Sequence, residues 1–221
     1  MIANVPYGYT KREPETSLKL INSQAIENYG TIKELQRRFV FNHIFDSKFD
    51  HGALFETIVK PLASSAFQKG LQHSLILYEP YTNNYYFDFL GIFDQQKNLD
   101  ECQLFHALKY IIELCTFKSH VQTSVQVSMV GIKDNRIIDL YNQDQPMESP
   151  LGYTLERVEH IESFLDYASN LVNECPGIEH LCISIYYQNK IALSNDEFEM
   201  RDACVNFIIV RGDNSIHLPS L

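Results

Sequence analysis

The chain has no tryptophan and only nine glycines among its 221 residues, so its aromatic packing falls to thirteen tyrosines and fourteen phenylalanines. Its five cysteines (Cys102, Cys115, Cys175, Cys182, Cys204) are odd in number and never form a C-x-x-C pair. A disulfide framework and a thiolate zinc site are therefore not expected. The thiols read as buried small apolar side chains of a reducing compartment. The eight histidines are scattered, with no H-E-x-x-H and no pair spaced to share a metal. No apolar run approaches the ~18 residues needed to span a bilayer. The opening Met1-Ile2-Ala3-Asn4-Val5-Pro6 lacks a charged-then-apolar signal pattern. Membrane insertion and secretion are not expected.

What is present is a chain with 45% hydrophobic and 21% charged residues. At this length a single domain over 1–221 is expected, burying roughly 70% of its unfolded surface without metal or disulfides. The formal net charge is −10, and it is uneven. Between Asp144 and Asp202 twelve carboxylates face only Arg157, Lys190 and Arg201. Such a stretch repels phosphate backbones and anionic lipid, which makes nucleic acid a poor partner.

Hydrophobic periodicity then orders the chain. Ser17–Ile21 and Arg38–Phe45 read as strands. Over Ala53–Phe67, Leu54, Phe55, Ile58, Val59, Leu62, Ala63, Ala66 and Phe67 repeat as one face of an amphipathic helix. Pro61 predicts a kink near Thr57, and Gly70 ends the helix. His73–Tyr78 reads as a buried parallel strand. A second helix is expected over Leu99–Phe117, a strand over Ser124–Ile132, and a third helix over Glu159–Asn173, stopped by Pro176-Gly177. Leu181–Tyr187 and Cys204–Val210 complete the strands. This alternation implies a layered α/β domain with a central sheet.

Two segments carry a family resemblance. Arg38 to Tyr78 reads RFVFNHIFDSKFDHGALFETIVKPLASSAFQKGLQHSLILY. It resembles the kinesin motor domain, where an F-x-F-D-x-V-F strand precedes a helix ending in x-P-L-(V/I) and a glycine turn leads into an I-(F/L)-A-Y strand. Val127–Tyr141 (VSMVGIKDNRIIDLY) is similar to the kinesin strand and hairpin V-S-(F/Y)-x-E-I-Y-N-E-x-I-x-D-L-L. The resemblance implies a P-loop-type α/β fold with a central mixed sheet flanked by helices, here shortened at the C-terminus.

The departures are as informative. Kinesins place G-x-x-x-x-G-K-(S/T) after the I-F-A-Y strand, where glycine amides cradle phosphates and the lysine neutralises them. The corresponding residues here are Glu79, Pro80, Tyr81, Thr82, Asn83, Asn84, Tyr85 and Tyr86. Both glycines and the lysine are gone, Pro80 removes an amide donor, and Glu79 adds negative charge. At an effective dielectric of ~20, like charges ~4 Å apart cost about 4 kcal/mol. The adenine-contacting R-x-R-P would fall on Tyr7-Gly8-Tyr9-Thr10. The N-x-x-S-S-R-S-H switch is reduced to Cys175-Pro176-Gly177 and His180, and D-L-A-G-S-E would fall near Val210–Ser215.

Four elements lost together imply a motor fold without ATP binding, catalytic residues, cofactor or metal. The pattern resembles the non-catalytic motor-homology subunits of the Cik/Vik type. What that likeness implies is a globular end joined by a coiled coil to a catalytic kinesin subunit, acting on microtubules at the spindle, its pole or the nucleus. Lys33, Arg37 and Arg38 form the one basic cluster near a structured element and are the candidate partner contacts.

Blander readings stand beside these. Tyr81, Tyr85, Tyr86, Phe87 and Phe89 fill the hollow left by a lost ligand more readily than they form a binding patch. Cys175 and His180 lack the third group that a thiol nucleophile needs. Asp196, Glu197, Glu199 and Asp202 lack calcium-loop spacing. The alternatives to the pseudo-motor are an unrelated small α/β enzyme and a divergent nucleotide-binding protein using Asn83 and Asn84.

Overall fold

The structure, a computed structural model, describes residues 2–4, 18–22, 25–28, 37–40, 43–45, 51–79, 90, 99, 102–118, 124–143, 153–192 and 198–211. It forms two compact units, Met1–Leu54 and Phe55–Leu221.

The first unit carries short strands. β1 (Ile2–Asn4) pairs parallel with β5 (His43–Phe45), and β2 (Leu18–Asn22), β3 (Ala25–Asn28) and β4 (Arg37–Val40) form an antiparallel sheet in that order. A helical turn, α1 (His51–Leu54), closes the unit. The run expected as one strand over Arg38–Phe45 is two. β3 offers β4 only four partners, and the next stretch joins β1 in a different sheet.

The second unit opens with a π-helical turn, Phe55–Val59, followed by α2 (Lys60–Lys69). Pro61 has no N–H to offer the carbonyl of Thr57, and the chain widens its helical ring around that gap. The expected kink is therefore a π turn. Val59, Ala63, Ala66 and Phe67 are buried on the predicted face. Gly70 caps α2 in the left-handed region at φ 62°, its N–H bonding Ala66 O. Beyond it run β6 (Gln72–Glu79), α3 (Gln103–Lys118), β7 (Gln126–Lys133), β8 (Arg136–Asp139), β9 (Glu156–Arg157), α4 (Ile161–Glu174), β10 (His180–Ala192) and β11 (Phe198–Arg211).

The sheet order is β6-β11-β10-β7-β8, with β9 added alongside β7. β6 runs parallel to β11 and every other pairing is antiparallel. β10 and β11 extend well past the expected Leu181–Tyr187 and Cys204–Val210, pairing from His180↔Val210 to Ala192↔Phe198. Strand alternation gives the sheet one dry face. Val127, Met129, Leu181, Ile183, Ile185, Tyr187, Val205, Phe207 and Ile209 are all buried there. α2 and α3 pack against it. Phe67 stacks on Tyr187 at 6.1 Å, and the Tyr187 hydroxyl donates to Ala63 O at 3.0 Å. Burying such side chains contributes roughly 1.5–3 kcal/mol each.

On the opposite face the expectation for β6 fails. It was read as a buried strand, yet Ile76 is 64% and Tyr78 59% exposed. Among the described residues β6 is the last strand of its sheet and has one covered face; the sequence pattern alone does not distinguish that from burial on both.

Two local devices fix the hairpin that precedes β9. Asp134 and Asn135 both take positive φ (50° and 59°), a two-residue turn whose twist suits β7 and β8. Asp139, 3% exposed, accepts the Tyr141 N–H at 3.1 Å and the Thr154 N–H at 2.6 Å.

Two substitutions test this construction. Asp139→Ala takes the acceptor from two part-buried backbone N–H groups and lowers stability by about 1–3 kcal/mol, with Asp139→Asn costing less. A Cβ at Gly70 meets Arg201 Cβ at 2.9 Å in a left-handed backbone conformation. Gly70→Ala therefore lowers the urea midpoint by an amount corresponding to about 1–3 kcal/mol, with the slope unchanged.

Candidate functional site

β6 and β11 end side by side, and open α/β sheets hold ligands beyond the carboxyl ends of parallel strands. Tyr78 pairs in register with Val210, and Glu79 with Arg211. β10 begins at the same rim, His180 opposite Val210. There the Arg211 backbone N–H donates to His180 Nδ1 at 3.1 Å, and its guanidinium Nη1 donates to Ile178 O at 3.0 Å. An Nδ1 that accepts leaves the ring proton of the neutral histidine on Nε2. Three chain segments are thus sewn together where a phosphate loop would begin.

Glu79 is the last residue of β6, in backbone register with Arg211 of β11.

The passage from α4 to β10 is short. α4 ends at Glu174, and Cys175, Pro176, Gly177, Ile178 and Glu179 lead directly to His180, with Gly177 turning at φ 88°. No room remains there for a switch loop. Cys175 is buried and His180 is engaged by Arg211, so the pair does not form a thiol nucleophile and base.

Residues 80–86, with Phe87 and Phe89, lie outside the described residues, as do Lys33 and 212–215. Arg37 and Arg38 sit on β4, in register with Asn28 and Glu27. Glu199 and Asp202 lie on β11. Glu199 pairs with Arg201 at 2.8 Å and Asp202 accepts from Gln188 at 2.9 Å, as a solvated edge does. No group of His, Cys, Asp and Glu able to hold a metal occurs among the described residues.

No protein-family model matches the sequence, and no curated protein does either. Solved structures do. The Drosophila kinesin family member NOD in complex with AMPPNP superposes with a TM-score of 0.76 at 15% identity, covering 98% of this chain and 72% of that one. The same protein with divalent manganese and ADP gives 0.67 at 14%, covering 94% and 67%. A fast kinesin gives 0.72 at 14%, covering 93% and 62%. The fold is that of a kinesin motor domain. The strand, helix and hairpin that carried the resemblance are β6, the π turn with α2, and β7–β8, in the expected order. The chain is shorter than these motor domains, matching 62–72% of their lengths.

Sequence reading passed over two residues that shape this unit. Arg211 entered only within the Val210–Ser215 stretch aligned with D-L-A-G-S-E, and its place at the rim follows from β11 running parallel to β6. Asp139 stood within the hairpin likeness, and its signal was the D-L pair there.

The thiols are inert by environment. None of the five forms a disulfide, four are buried, and burial pushes the Cys204 thiol up to about 12 from an ordinary 9. The folded state therefore holds that proton while the unfolded chain releases it above pH 9. Stability falls as pH rises from 9 toward 12, at up to about 1.4 kcal/mol per unit from this group. Urea titrations across that window show a shallower decline for Cys204→Val than for the parent chain.

Proposed function

We propose that this chain is a non-catalytic motor-homology domain. It does not bind ATP and serves as the partner-binding, regulatory subunit of a catalytic kinesin in microtubule organisation at the spindle. One observation carries the reading: a kinesin motor fold in which the residues from the end of β6 onward read Glu79-Pro80-Tyr81-Thr82-Asn83-Asn84-Tyr85-Tyr86, without glycine or lysine. NOD, which shares the fold, is described with AMPPNP and with manganese and ADP. Here the chemistry that holds such ligands, backbone amides free to curl and an ammonium to neutralise charge, is missing from the sequence. The direct passage from α4 to β10 supports the same reading, because a motor that reports its nucleotide state needs a loop that can respond to it.

Microtubules enter as a second partner. NOD is also described complexed to the microtubule. In this chain Lys33, Arg37 and Arg38 are the candidate contacts, and the acidic stretch Asp144–Asp202 opposes approach to an acidic surface within ~8 Å at physiological salt.

Isothermal titration with Mg-ATP and with Mg-ADP tests the core of the proposal. No saturable heat is expected up to about 1 mM ligand, whereas micromolar binding of either refutes the pseudo-motor. Co-sedimentation with microtubules at low salt tests the second partner. A domain that remains in the supernatant restricts the role to the kinesin subunit.

A further inference from the structure

The rim where β10 begins and β11 ends is closed through one titratable ring. His180 opens β10, in register with Val210 on one side and Ile132 on the other. The Cys204 N–H bonds Leu71 O, so the even-numbered amides of β11 face β6 and the odd-numbered ones face β10. Arg211, the last residue of β11, thus turns its N–H toward β10, and there His180 Nδ1 accepts it at 3.1 Å. The final rung of the β10–β11 ladder is an imidazole nitrogen where a main-chain carbonyl would serve elsewhere. The same arginine reaches with Nη1 to Ile178 O at 3.0 Å, so the strand end is tied twice.

Of the two ties, the first can be switched by a proton. A carbonyl accepts at any pH, but an imidazole accepts only while neutral; once protonated, both of its nitrogens are donors. Protonating His180 sets its Nδ1–H against the Arg211 N–H, and it brings positive charge to a strand end that already carries a guanidinium. The other charged residues of this rim come from four segments. Lys133 of β7 lies over the turn into β10, its Cε 3.6 Å from where a Cβ on Gly177 would stand, and Arg136 of β8 is in register with it. Glu179 immediately precedes β10, and Glu79 ends β6 in register with Arg211. Among side chains, histidine is the one that changes charge within the physiological range.

We propose that His180 is a proton-operated clasp on the end of β11. Neutral, it holds Arg211 against β10 and keeps the rim closed. Protonated, it expels the Arg211 amide and the strand end opens, while the ladder from Leu181 onward stays paired. The rim it governs is the one beyond which the kinesin likeness places a phosphate loop, but the clasp does not rest on that reading. Nucleotide binding would refute the pseudo-motor and leave the clasp untouched.

NMR of the full chain between about pH 5 and 8 tests it. The ring nitrogen shifts of His180 report its tautomer and charge. Plotting every other signal against them separates this titration from those of Glu179 and Glu79. The neutral ring is expected to carry its proton on Nε2, and the Arg211 amide shift to follow the ring with the same midpoint. On the acid side the exchange protection of the Arg211 amide, corrected for the intrinsic effect of pH, falls roughly tenfold or more, while that of Ile209 is unchanged. His180→Asn supplies an acceptor that does not titrate, so Arg211 stays protected across the range. His180→Phe removes the acceptor and leaves that amide unprotected throughout. Three results overturn the proposal: a neutral ring protonated on Nδ1; an Arg211 amide whose shift and protection do not move with the ring; or a His180→Asn chain that keeps the parent's pH dependence.

Discussion

The second unit depends on the antiparallel ladder between β10 and β11. It runs unbroken from His180↔Val210 to Ala192↔Phe198, and each strand also carries a further neighbour, β7 on one side and β6 on the other. Because side chains alternate strictly, this one register decides which residues of four strands share a face. A slip of one position would turn Ile183, Ile185, Phe207 and Ile209 away from α2 and α3 and bring Ser184 and Asn206 in. The buried stack of Phe67 on Tyr187 makes that slip costly, since it joins the ladder to α2 through both packing and a hydrogen bond. The two faces are thus unequal by composition: continuous aliphatic and aromatic residues on one, and a row of Ser128, Ser184, Asn206 and Ser74 across the other.

How much of this was legible follows from which interactions are local. Helix α4 was readable because Phe164, Leu165, Ala168 and Val172 recur at helical spacing, and Pro176-Gly177 closes the pattern. Pro61 announced a disturbance near Thr57 for a reason contained in four residues of chain. The exposure of Ile76 and Tyr78 was not readable, because it depends on which distant elements cover each face of the sheet. The Glu79–Arg211 pairing was equally hidden. The two residues are far apart in sequence and meet only because β6 and β11 run parallel in register. In the first unit, strands of three to five residues are too short for alternation to declare itself, and β1 and β3 went unread.

Fold and chemistry are separable in a motor domain for a physical reason. The interactions that hold β6, β10 and β11 together are ladder hydrogen bonds, the dry face under α2 and α3, and the Arg211–His180 stitch at the rim. None of them belongs to residues 80–86. A phosphate loop contributes little burial of its own, since its glycines are chosen to let backbone approach a ligand and bring no apolar area. Exchanging its residues removes a ligand-binding term and leaves the burial term standing. A nucleotide-bound motor also gains stability from its ligand in proportion to RT ln(1 + [L]/Kd), and a chain that forgoes the ligand forgoes that increment. A motor-like scaffold at 15% identity to NOD is therefore no evidence for a motor's chemistry: the residues that preserve the one are not the residues that perform the other.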